Sequence, residues 1–124
     1  MEEAAYIARN LRLYDLEAKF YDSLLDGRVP GVDFKIRNTG NRTLNRVVVR
    51  VVFLDRSGKP IAEEEYTPVI VSEYSVGGDN TPLRPNYIWQ NESDKFYTAK
   101  SVPSEWDEGK ATATVIDVEF APTR

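Results

Sequence analysis

The sequence predicts an all-β domain, an antiparallel sandwich of two sheets and about seven strands. Three observations carry this. Residues 32–66 alternate apolar and polar side chains around turn-forming stretches at 38–41 and 55–59. Residues 44–54 are the most β-biased run in the chain, and branched side chains such as its valines favour a pleated, half-buried surface. Turn signals recur along the chain at the spacing of an antiparallel sandwich, with no room for parallel crossovers.

Residues 1–12 read as an N-terminal extension. Ala4, Ile7, Ala8 and Leu11 fall at helical spacing, which predicts one short helix in a satellite role. In residues 13–22, Leu16, Ala18 and Phe20 alternate with Glu17, Lys19 and Tyr21, a half-buried strand. Asp26-Gly27 is a turn signal. Val29-Pro30-Gly31-Val32 is a second, of type II, with Pro fixing φ at the first central position and Gly free at the next.

The expected three-strand meander follows. Val32, Phe34 and Ile36 point one way, and Asp33, Lys35 and Arg37 the other. Asn38-Thr39-Gly40-Asn41 reads as a hairpin loop. In the next strand Val47, Val49, Val51 and Phe53 share one face; Val48, Val52 and Leu54 make the other largely apolar too. Asp55-Arg56-Ser57-Gly58-Lys59 closes the next hairpin. Pro60 suits a strand start, Pro68 ends or bends the strand, and Val69-Ile70-Val71 forms a further short one. Gly77-Gly78-Asp79-Asn80 and Leu83-Arg84-Pro85-Asn86 are loops. Residues 87–89 and 95–99 are short strands, and residues 102–109 a surface excursion carrying Trp106. In the last strand Ile116, Val118 and Phe120 face in; Val115, Asp117 and Glu119 face out. The expected architecture is an immunoglobulin-like sandwich over residues 13–121, with a tail at 122–124. Its expected core starts from Phe34, Ile36, Val49, Phe53 and Ile116.

Composition restricts function. The 124 residues carry a net charge of −4, without the basic bias that phosphate-backbone binding requires, so nucleic acid is not an expected partner. There is no Cys and no His, which removes thiolate catalysis, histidine-based proton transfer and the imidazole or thiolate metal sites. No run reaches the length of a transmembrane helix. The start, Met1-Glu2-Glu3-Ala4-Ala5, lacks the basic region of a secretory leader; the expectation is a cytoplasmic protein or a mature domain without its leader.

The motif Phe34-Lys35-Ile36-Arg37-Asn38-Thr39-Gly40, the strand Val51-Val52-Phe53-Leu54-Asp55, Gly58, and Leu83-Arg84-Pro85-Asn86 together resemble the FxLYD-type domains of bacterial and archaeal envelope proteins. Val51, Phe53 and Leu54 stand where the family name has Phe, Leu and Tyr, and Asn86 replaces the Gly of its "L-x-P-G" turn. Asn tolerates the same left-handed conformation. The resemblance implies an immunoglobulin-like fold, an extracytoplasmic setting and a noncatalytic role. It brings no catalytic, cofactor or metal residues, because the motif is turn chemistry.

Two surfaces are candidates for a partner or ligand. Tyr87, Trp89 and Trp106 form either a stacking platform for sugar or peptide, or part of the core. Val48, Val52 and Leu54 form either a covered face or an interface. Glu63-Glu64-Glu65 and Asp79 are the weighed calcium candidates, against the simpler reading of a charged edge strand and an ordinary loop. The expectation is a noncatalytic structural or protein-interaction module without cofactor, the alternative a carbohydrate- or calcium-binding one.

Overall fold

Helix α1 (Glu2–Asn10) leads into strands β1 (Leu11–Ser23), β2 (Gly27–Asn38), β3 (Leu44–Asp55), β4 (Pro60–Ile70), β5 (Ile88–Gln90), β6 (Tyr97–Thr98) and β7 (Trp106–Phe120). The structure is a computed structural model and describes residues 2–25, 27–72, 80–93 and 95–122. The strands form two antiparallel sheets, a two-sheet sandwich as expected. In the first sheet β1 pairs with β2 on one side, and on the other side β5 pairs with residues 35–37 of β2 and β6 with residues 31–32, as one interrupted strand. The second sheet has the order β4-β3-β7.

This topology corrects the meander. β2 and β3 do not pair; they lie in different sheets. Residues 38–41 therefore cross between sheets instead of closing a hairpin. Asn38 is fully buried at that crossing. Its Oδ1 accepts from the Tyr6 hydroxyl (2.7 Å) and Gly40 N–H (3.1 Å), and its Nδ2 donates to the carbonyls of Arg42 (2.8 Å) and Leu83 (3.1 Å). Its backbone N–H donates to Tyr87 O, and its carbonyl accepts from Asn86 N–H. A buried amide is stable only when its polar groups are satisfied in this way. Helix α1 is accordingly more than a satellite: Tyr6 belongs to the core and meets Phe120 edge to face at 5.3 Å.

Two expected turns fare differently. At β3–β4, Asp55 Oδ1 accepts from the N–H groups of Ser57 and Lys59 and from the Ser57 hydroxyl, and Gly58 takes φ 86°. These hydrogen bonds, the Ser57 hydroxyl first, hold the Asp55 carboxyl below its ordinary pKa. Residues 29–32, by contrast, are not a turn but the continuous strand β2, with Pro30 opposite Phe20 and Gly31 opposite Lys19. Pro30 donates nothing, yet its carbonyl still accepts from Ala99 N–H at 2.9 Å. Glycine is needed at 31 for space: a Cβ there falls 2.8 Å from Tyr97 O and 2.9 Å from a Tyr21 ring carbon.

Bulges set which side chains face inward. Asp15, at φ 52°, lies in an irregularity between Tyr14 and Glu17, so Leu11 and Leu13 before it and Leu16 and Phe20 after it all pack on the core. In β7 the register shifts between Val48's partner Asp117 and Val49's partner Val115. The extra residue is Ile116, which corrects its assignment to the core: Val115 is buried instead, at 7% exposure, and Ile116 is half-buried. Val69-Ile70 is not a separate strand but the end of β4 beyond a bulge at Thr67-Pro68. Phe34, Ile36, Val49 and Phe53 are core residues, each at 0–1% exposure.

Candidate functional site

The aromatic candidates do not share a surface. Trp106 is not on an excursion; it begins β7 and is buried between Phe20 and Phe53, at centroid distances of 5.4 Å to each. Its indole N–H donates to Lys110 O. Trp89 faces Ile36 across β5–β2 and packs on Phe34 and Tyr97. Tyr87 is 52% exposed. Alternation does not tie it to Trp89 because Tyr87 closes the turn before β5, donating its N–H to Arg84 O. In that turn Asn86 adopts φ 70°, the left-handed position for which Asn substitutes for Gly.

The second candidate face lies on the outside of the β4-β3-β7 sheet. Val48 is buried at 6% exposure; Val52 and Leu54 are half-buried. Strands β5 and β6 do not cover them, because they complete the other sheet, and the segment's last residues, from Trp106, join β7 beside β3. Val48 instead lies between Arg46 and Arg50 along β3. Arg46 pairs with Asp117 at 2.9 Å, and Arg50 with Glu63 at 3.1 Å and Glu65 at 2.8 Å. The face is therefore a lattice of ion pairs around one enclosed valine. Glu64 points the other way and accepts from Ser101 N–H and Oγ at 3.0 and 2.7 Å. Among the described residues no group of three or more acidic side chains is placed to hold a metal ion. Gly77, Gly78 and Asp79 lie outside the described residues.

Two features that reading from the sequence missed are more exposed. The first is the end of the β1–β2 hairpin. Leu24 and Leu25 are 106% and 95% exposed. β6 reaches β2 only at Gly31 and Val32, so the pairs Tyr21–Val29, Asp22–Arg28 and Ser23–Gly27 extend past β6 as a two-stranded ribbon. Phe20, at the base of that ribbon, donates its N–H to Glu108 of β7 and carries the Arg28 guanidinium over its ring at 5.2 Å. The signal was available: a Leu-Leu pair at a turn, where polar residues are expected.

The second lies at the opposite end of the same sheet, on its outer surface. Arg12 of β1 stands directly opposite Arg37 of β2, and Arg37 directly opposite Ile88 of β5. Both arginines are exposed, and Ile88 is 48% exposed. Like charges directly opposed across strands destabilise a sheet. The ion pairs formed among the described residues leave Arg12 and Arg37 without a carboxylate, whereas Lys35 in the next row pairs with Asp15 at 3.2 Å. A cleft of about 390 Å³ opens beside the pair, lined by Arg12, Leu13, Tyr14, Arg37 and Thr39.

No family model matches this chain, and neither the curated proteins nor the solved structures contain a match to it. No helix among the described residues is long and apolar enough to cross a membrane.

Proposed function

We propose that this chain is a noncatalytic protein-interaction module of a bacterial cell envelope, on an immunoglobulin-like, FxLYD-type scaffold. The observation that carries the interaction reading is the projecting Leu24-Leu25 tip. Exposing two leucines almost completely forgoes about 1.5–3 kcal/mol of burial for each, and large apolar side chains presented together on a projection mark contact surfaces. The FxLYD-type reading is supported by the Asp55–Gly58 turn and by Asn86 in the left-handed position of the Leu83-Arg84-Pro85-Asn86 turn. The envelope setting follows from that resemblance alone.

The carbohydrate alternative loses its support because Trp89 and Trp106 pack inward. The calcium alternative loses support because Glu63 and Glu65 are engaged by Arg50.

A photo-crosslinking residue at position 25, compared with one at Thr112, tests the interaction reading in living cells. Discrete adducts from position 25 alone are expected. Equal adduct patterns from both positions, or none from either, sink it. Fractionation of the same cells checks the setting, and recovery with cytoplasmic markers would refute the envelope assignment.

A further inference from the structure

We infer that the Leu24-Leu25 tip of one copy docks on the Arg12–Arg37–Ile88 row of a second copy, so that the chain associates head to tail. This rests on the interaction-module reading and names its partner.

The two ends of the β1–β2 sheet are complementary. The tip presents two exposed leucines next to the exposed Asp22, whose cross-strand neighbour Arg28 lays its guanidinium over the Phe20 ring at the base of the ribbon. The row presents two arginines that no described carboxylate neutralises, with the exposed Ile88 in line and Tyr14 in the adjoining cleft. An acidic carboxylate between Arg12 and Arg37 relieves their mutual repulsion, and a leucine beside it covers Ile88 or enters the cleft. A cross-strand like-charge pair is a local conflict of the kind proteins retain at functional sites.

Other occupants fit less well. An anionic bilayer is opposed by Asp22 and by the net charge of −4. A neutral bilayer gains little, because two leucine side chains carry fewer carbons than a myristoyl chain, which itself binds only marginally. An unrelated protein would have to supply the basic, apolar pocket that this chain already displays.

The contact is heterologous, since tip and row are different surfaces, so it propagates into open chains or closes into rings. β1 spans both ends, which sets a repeat of roughly 40 Å along the strand direction. So small a contact falls in the weak, transient class, and its charged part weakens with salt.

The test uses the full chain and two double variants at exposed positions, Leu24→Asp/Leu25→Asp and Arg12→Glu/Arg37→Glu. Sedimentation velocity over a wide concentration range is expected to show reversible association of the wild type that weakens with added salt. Each variant alone should lose about tenfold or more in affinity. Mixing the two variants should yield a heterodimer that grows no further: the tip variant keeps an intact row and the row variant an intact tip. A wild type that stays monomeric throughout overturns the proposal, as does a mixture that fails to reassociate while both variants remain folded by circular dichroism. If position 25 gives adducts only with a different protein while the purified chain stays monomeric, the second-copy assignment falls and the interaction reading stands.

Discussion

The Tyr6 hydroxyl donates a 2.7 Å hydrogen bond to Oδ1 of Asn38, joining the N-terminal helix to the point where the chain crosses between sheets. The same hydroxyl accepts from Arg42 N–H at 3.1 Å. Asn38 spends both ends of its amide on groups from three other segments. Asn38→Leu leaves those partners buried and unpaired, and should cost about 3–4 kcal/mol. Tyr6→Phe keeps the ring against Phe120 and removes only the hydroxyl, for about 1–2 kcal/mol. Urea denaturation measures both. A double variant no worse than Asn38→Leu would show that the two groups act through one network; two small independent losses would contradict it.

Phe53 is among the largest side chains of the core. It is fully buried and faces Trp106 at 5.4 Å. Phe53→Ala should cost about 3–5 kcal/mol through lost transfer energy and the cavity left behind. An unmoved denaturation midpoint would remove Phe53 from the core. Acrylamide should quench Trp106 fluorescence weakly, best read in a Trp89→Phe background; strong quenching there would place the indole in solvent.

The strands were legible in the sequence where burial is one-sided and unbroken. Val47, Val49, Val51 and Phe53 alternate without interruption, and all four are fully buried. Legibility failed where geometry depends on another strand. A short polar stretch such as 39–43 serves equally to turn a hairpin or to cross between sheets, so the sheet assignment of β2 and β3 had no local signal. The Ile116 bulge likewise turns Val115 inward in place of Ile116 without a marker residue, while Val118 and Phe120 beyond it face in as expected. The Arg12–Arg37 row was invisible for a related reason. Counting back from the Ser23–Gly27 pair without a bulge puts Arg12 opposite Asn38; the extra residue around Asp15 moves it opposite Arg37. Asp15 at positive φ is itself an unusual bulge residue, since such positions favour Gly.

Gly31 tests the packing of the outer aromatic pair. Tyr21 and Phe96 stack with centroids 4.2 Å apart, and both rings crowd the space beside Gly31. A methyl group there also meets the carbonyl of Tyr97, which β2 holds in the β6 ladder. Gly31→Ala should therefore destabilise by about 1–3 kcal/mol, as overpacking does. Thermal unfolding followed by circular dichroism decides it. A neutral or stabilised variant would mean that the Tyr21–Phe96 pair and β6 yield freely.

The inner tyrosines make stability fall at alkaline pH. Tyr66 and Tyr97 stack at 4.5 Å, and the Tyr66 hydroxyl donates to Thr98 O at 2.9 Å. Burial pushes the Tyr97 phenol from 10.0 up to about 12. Burial first, and then the nearby Glu64 carboxylate and Tyr97, raise that of Tyr66 as well. Tyr21 also rises to about 12, through burial and then through Glu17 and Asp33. The folded chain thus keeps these protons at a pH where the unfolded chain releases them, so the unfolded state binds fewer protons above pH 10 and stability falls with pH. The contribution is complete below pH 10 and is lost as pH climbs from there towards about 12 and beyond. Phenolate absorbance should show a late-titrating fraction that rises together with unfolding. Lysines also titrate in this range, so the decisive comparison is with Tyr66→Phe/Tyr97→Phe. That variant should lose stability less steeply between pH 10 and 12. An identical slope would assign the alkaline loss to other groups.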